Sequence, residues 1–222
     1  MKITTSSIAQ RGITLVFALI TLLGLSLAAV ALIRAVDTGS SILGNLSFKQ
    51  DTLLASESGT RLALTWLSAN TGNGKLNSDD TANGYLSYQI DKLDPLGRSS
   101  DKTRSVIDWN GDKCASYASG SYAQCLTPTA QQDVRNSALQ GGQIKAQYLI
   151  LRLCESTGDA VKNGINCAKP LTSTTVSSNK GSMDYSTQAP PPDPTLAQYF
   201  RIIVRAQGTR KSVTYTETLV HF

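Results

Sequence analysis

Residues 12–34 read GITLVFALITLLGLSLAAVALIR, and the 21 positions from Ile13 to Ile33 carry no charge. Seventeen of the 21 are hydrophobic; the exceptions are Thr14, Thr21, Gly24 and Ser26. At about 1.5 Å per residue a helix over this run is roughly 32 Å long, close to the about 30 Å of a bilayer's hydrocarbon core. A helix in the core of a globular domain would show polar positions about every 3.6 residues, and this run shows none. A secretory signal has an apolar centre of about 7–15 residues that ends at a small-residue cleavage site. Here Ala28-Ala29 leads into further apolar residues. The run therefore predicts a single transmembrane helix over 13–33.

Charge gives the orientation. Lys2, Arg11 and Arg34 are the charged side chains before Asp37, and all 16 acidic residues lie at Asp37 or later. Positive residues favour the cytoplasmic side, so residues 1–12 are expected there and the rest of the chain beyond the membrane. The formal net charge of +5 then changes meaning. From position 35 onward 18 basic residues face 16 acidic ones, and a near-neutral domain offers no polyanion-binding surface. No nucleic-acid partner is expected.

The four cysteines, Cys114, Cys125, Cys154 and Cys167, all fall on the translocated side. An even count in an oxidising compartment suits two disulfides. Three pairings are possible; the sequential one, Cys114–Cys125 and Cys154–Cys167, is favoured because each pair brackets a short polar loop. The lone histidine, His221, excludes a multi-histidine zinc centre. Asp108-Trp109-Asn110-Gly111-Asp112 places oxygen ligands at alternate positions, like the start of a calcium loop. Lys113 then stands where such a loop needs Gly, and Ser119 where it needs Glu. Asp108, Asn110 and Asp112 are thus the nearest approach to a metal site, and the segment reads as a solvated turn beside Cys114. No metal, cofactor or catalytic activity is expected.

After Ile33 apolar residues recur at Val36, Ile42, Leu43, Leu46, Leu53, Leu54, Leu62, Trp66 and Leu67, in mixed steps of three and four. Glu57 and Arg61 form an i,i+4 pair in the favourable order. The first strong breaker is Asn70-Thr71-Gly72-Asn73-Gly74. One helix is predicted from about Ile13 to about Ser68, its second half (34–68) amphipathic and packed on a domain. Residues 69–222 form that domain. From Ser68 to about Ala146 it is polar and punctuated by glycine, with short strand-like runs at 85–90 and 105–109. The run Gln147 to Leu153 is apolar on both faces and reads as a central strand. Gln198 to Ala206 alternates Phe200, Ile202 and Val204 inward against Arg201 and Arg205 outward, although Ile203 breaks the pattern. A turn at 207–210 leads to Ser212 to Phe222, with Val213, Tyr215 and Leu219 on one face. The fold class is α+β, a long N-terminal helix on an antiparallel sheet.

Gln10-Arg11-Gly12 set directly before the charge-free helix resembles a prepilin-type signal. Gln10 to Val16, Arg34-Ala35-Val36-Asp37, Gly44 to Phe48 and Ala55-Ser56-Glu57 together resemble PilX-type minor pilins of the type IV pilus. The resemblance is good over residues 10–68, weakens in the middle, and returns in Gln147 to Cys154 and in the C-terminal hairpin. It implies a pilin-like fold, cleavage between Gly12 and Ile13 by a prepilin peptidase, and methylation of the new terminus. It also implies a subunit held in the inner membrane with its domain in the periplasm, later at the cell surface in the pilus, at or near the tip and with a possible adhesive role. The implied partners are other minor pilins, the major pilin and the inner-membrane assembly machinery. Major pilins carry Glu at the fifth mature position; here that position is Phe17, a departure that PilX-type proteins share. A type II secretion pseudopilin, whose tip member also lacks the Glu, and a single-pass periplasmic binding module are the alternative readings.

Overall fold

The computed structural model describes residues 13–137, 141–160, 164–168, 198–208 and 211–221. Its first element, helix α1, runs unbroken over Ile13–Asn70. The chain divides into two units, Met1–Ser47 and Phe48–Phe222.

In the first unit the described residues are helical throughout, and the large apolar side chains are exposed from Ile13 to Leu46. The helix is long and apolar enough to cross a membrane. Three of its hydroxyls bond within the helix: Thr21 donates to the carbonyl of Ala18, Ser26 to that of Leu23 and Thr38 to that of Arg34. A segment in lipid has to satisfy its polar groups in this way.

The second unit is built on a five-stranded sheet. Its strands are β1 (Tyr85–Leu86), β5 (Gln132–Ser137), β6 (Gly142–Arg152), β7 (Tyr199–Gln207) and β8 (Val213–His221). The order is β1-β6-β7-β8, and β5 shares with β1 the edge of β6 away from β7. β5 lies along Gly142–Ala146 and β1 along Ile150–Leu151. The central strand and the C-terminal hairpin therefore fall where the sequence pattern puts them, although β6 starts five residues earlier.

The expectation of a purely antiparallel sheet is corrected: β1 runs parallel to β6. The chain leaves α1 through 3-10 turns at Lys75–Asn77 and Thr81–Asn83, then turns at Gly84. Gly84 has φ +62°, and a Cβ there would meet the Tyr148 carbonyl at 2.7 Å. Only glycine lets the backbone enter so close to β6.

Each face of the sheet has its own core. On one face Tyr148, Ile150, Phe200, Ile202, Val204 and Ala206 pack with Ala55, Ala63 and Leu67 of α1. On the other, Leu149, Leu151 and Ile203 pack with Leu86, Ile107, Trp109 and Leu126. Those last residues come from the polar middle region, which forms a three-stranded parallel sheet: β2 (Leu93–Asp94), β3 (Ser105–Ile107) and β4 (Gln124–Leu126). A sheet covered on both sides needs apolar residues at successive positions. That explains Ile203, and it corrects Arg205: its side chain is buried under the middle region and donates from Nη1 to the Trp109 carbonyl at 2.8 Å.

A second correction concerns α1. The periodicity predicts that leucines line its domain face, but the buried stripe is Asp51, Thr52, Ala55, Ser56, Gly59, Ala63 and Leu67. Leu53 and Leu54 stay 52% and 37% exposed. The reason is close approach: a Cβ on Gly59 would lie 2.8 Å from Val204 Cγ1 and 3.1 Å from Ala146 Cβ. Small side chains let the helix backbone settle on the sheet; Leu67 joins them as expected, while Leu53 and Leu54 point away.

Candidate functional site

Most of the exposed large apolar side chains among the described residues lie on α1. Gly12, the expected cleavage position, lies outside the described residues. Ile13 opens the helix. Phe17 is 64% exposed, and the first turn holds no acidic residue, so the N-terminal turn is apolar as well as uncharged.

The exposed apolar surface does not stop at Ile33. Val36, Ile42, Leu43, Leu46, Leu53 and Leu54 continue it. Leu62, 39% exposed, follows the exposed Glu57–Arg61 pair, whose charges lie 3.3 Å apart. Sequence periodicity assigns these leucines to the domain core and so misses the feature. A readable signal was present in the small residues Ala55, Gly59 and Ala63, spaced by four, which mark the true contact face.

The domain is braced by its two disulfides, paired sequentially as Cys114–Cys125 and Cys154–Cys167. Asp108, Asn110 and Asp112 do not converge as ligands. Asp108 Oδ1 accepts the amide of Asp112 at 3.0 Å and Oδ2 that of Lys113 at 2.8 Å; Asp112 Oδ2 accepts the amide of Ser116. Burial pushes the Asp108 carboxyl up, but the amides of Lys113, Asp112 and Cys114 outweigh it and hold the pKa below the ordinary 3.8. The carboxylate thus anchors a turn in which Lys113 and Cys114 both take positive φ. Among the described residues no group of three or more His, Cys, Asp or Glu side chains is placed to hold a metal ion.

Both tryptophans belong to packing. The Trp109 indole donates to the Pro95 carbonyl at 2.8 Å and its ring meets Tyr215 edge-on. Trp66 lies against Tyr85 with ring centroids 5.2 Å apart. Arg152, fully buried, donates to the carbonyls of Ser87, Ser156 and Gly158 and to Asn77 Oδ1. It ties the Cys154–Cys167 loop to the start of the domain. A cavity of about 310 Å³ beside the end of α1 is lined by Asn70, Thr71, Asn77, Asp159 and Gln198, with Phe200 behind them. Among its described lining residues there is no thiol, imidazole or amine.

No family model matches this chain, and neither the curated proteins nor the solved structures hold a significant match.

Proposed function

We propose that this protein is a minor pilin that takes part in type IV pilus assembly. In this reading Ile13–Ile33 holds the precursor in the inner membrane and prepilin peptidase cuts after Gly12. The helix then packs against helices of other minor pilins and the major pilin. The domain stands in the periplasm before assembly and at or near the pilus tip afterwards. Its work is packing, not catalysis.

One observation carries the reading. A bilayer covers about 20 residues of helix, but exposed large apolar side chains recur on α1 past Ile33, at Val36, Ile42, Leu43, Leu46, Leu53, Leu54 and Leu62, among polar and charged positions. Exposed apolar side chains in this number suit a protein or membrane interface, and a membrane would cover only those up to about Ile33. Neighbouring apolar helices would satisfy the rest. Phe17 suits a special position such as the tip, since a Glu there would need a partner's terminal amine in an apolar setting.

The test is intact-mass and N-terminal analysis of the protein from its host, with pilus counts in a deletion strain. The expected results are a methylated Ile13 terminus and fewer pili. An intact Met1 terminus together with normal piliation refutes the proposal.

A further inference from the structure

The glycines of α1 differ in what they are there for. Gly59 is needed for packing, because a Cβ there would strike Val204 and Ala146. Gly39 and Gly44 are not: a Cβ at either would meet nothing within 4 Å, and neither has a positive φ. Inside a helix glycine is a poor choice, since its backbone loses the most freedom on ordering. The surrounding residues are poor helix formers too. Residues 38–47 read TGSSILGNLS; only the two leucines, Leu43 and Leu46, rank high. Packing does not make up the difference. The first buried residue of α1 is Asp51, and no residue from Arg34 to Gln50 is buried. Both flanks are held more firmly. The charge-free run to Ile33 is apolar enough to cross a membrane, where an opened backbone finds no water. From Asp51 onward the helix is seated on the sheet. Asp51 accepts from Ser137 Oγ and pairs with Arg135 Nε at 3.4 Å, and Thr52 Oγ1 lies 2.7 Å from Thr214 Oγ1. Helices in proteins owe most of their stability to packing, and residues 38–47 have neither packing nor propensity.

We propose that residues 38–47 are a hinge built into α1. Its backbone hydrogen bonds open to water while the helix on either side stays formed, and α1 changes direction there. Helices bend sharply at few kinds of site, and a Gly/Ser pair is one of them; Gly39-Ser40 is such a pair. The freed N–H and C=O groups bond to water, which reaches this stretch because it lies past the apolar run and before the sheet contact. The hinge lets the domain reorient on its anchor without disturbing the seat of Asp51, Thr52, Ala55 and Gly59 on the sheet. The proposal does not rest on the pilin reading. It needs only a helix held at both ends, and it can fail while Ile13 is the mature terminus, and the reverse.

The test is amide hydrogen exchange of the full chain in lipid nanodiscs, read by mass spectrometry. The amides of residues 42–51 bond to the carbonyls of 38–47. They are expected to exchange roughly tenfold faster, or more, than those of 17–30 and of 55–67. Gly39→Ala together with Gly44→Ala should slow that exchange about tenfold and leave both flanks unchanged, since neither new Cβ touches anything. Gly24→Ala, inside the apolar run, should leave the exchange of 42–51 as it was. Spin labels give a second readout. Val30→Cys and Leu46→Cys place them at positions 51% and 58% exposed, and the native cysteines are all paired. A straight helix sets these two Cα atoms about 24 Å apart. The parent should show a broad distribution reaching shorter distances, which the alanine pair narrows toward the straight-helix value. Exchange over 42–51 as slow as in the flanks, exchange that the alanine pair leaves unchanged, or a narrow distance distribution in the parent overturns the proposal.

Discussion

Gly59 is the place where the helix–sheet contact can be tested most sharply. In a helix interior Gly→Ala ordinarily stabilises by about 1 kcal/mol. Here the added Cβ would stand 2.8 Å from Val204 Cγ1 and 3.1 Å from Ala146 Cβ. Neither neighbour yields easily. Val204 is β-branched and buried, with a stiff side chain, and the Cβ of Ala146 moves only with its backbone. Overpacking of this kind costs about 1–3 kcal/mol. Gly59→Ala should therefore lose about 1 kcal/mol net, and Gly59→Leu, with three more carbons in the same gap, about 3 kcal/mol or more. Val204→Ala alone should cost about 2 kcal/mol, from lost burial and a small cavity. Combined with Gly59→Ala it opens the space that the new methyl needs, so the double variant should be about 1 kcal/mol better than the sum of the two. Urea unfolding with the disulfides intact, followed by Trp66 and Trp109 fluorescence, measures all four proteins. A Gly59→Leu protein as stable as the parent, or strict additivity with Val204→Ala, refutes the close approach of α1 to β6 and β7.

Arg152→Met removes the donor from the carbonyls of Ser87 and Gly158 and should cost about 3 kcal/mol. In a thermal melt that is a fall of about 6–12 °C. Replacing Cys154 and Cys167 together by Ser should cost about 3 kcal/mol through loop entropy. The loss should combine less than additively with Arg152→Met, because both act on the same loop. The Asp108 pKa is lowered on folding, so its contribution is present above the ordinary 3.8 and lost as pH falls through the folded value. Acid titration of Trp109 fluorescence should show a transition below about pH 4 that Asp108→Asn removes.

What was legible in the sequence depended on one-dimensional signals. A charge-free run from Ile13 to Ile33 needs no knowledge of neighbours to be recognised, because lipid compatibility is a property of each residue summed along one helix. The uninterrupted stretch to the first glycine cluster set the helix end to within two residues, since breakers act locally. The two-faced strand around Leu149 and Leu151 was visible because a doubly covered strand abandons alternation. The sequential disulfides followed from their short polar loops.

Tertiary structure showed which side of α1 meets the sheet, a side that apolar periodicity alone misassigns. Periodicity counts apolar residues, and it sent Leu53 and Leu54 inward; contact distance favoured Ala55, Gly59 and Ala63, because backbone approach is limited by the smallest side chains, not the most hydrophobic. It also decided that Arg205 is buried. Arg205 looks outward along its own strand, and only the folding of the distant 93–126 segment over that face brings the Trp109 carbonyl to its guanidinium. The parallel entry of β1 is likewise invisible in sequence, since it depends on which strand β1 meets. The amino-acid order by itself determined where the chain can meet lipid and where it turns; three-dimensional packing determined which apolar surface was left over for something else to cover.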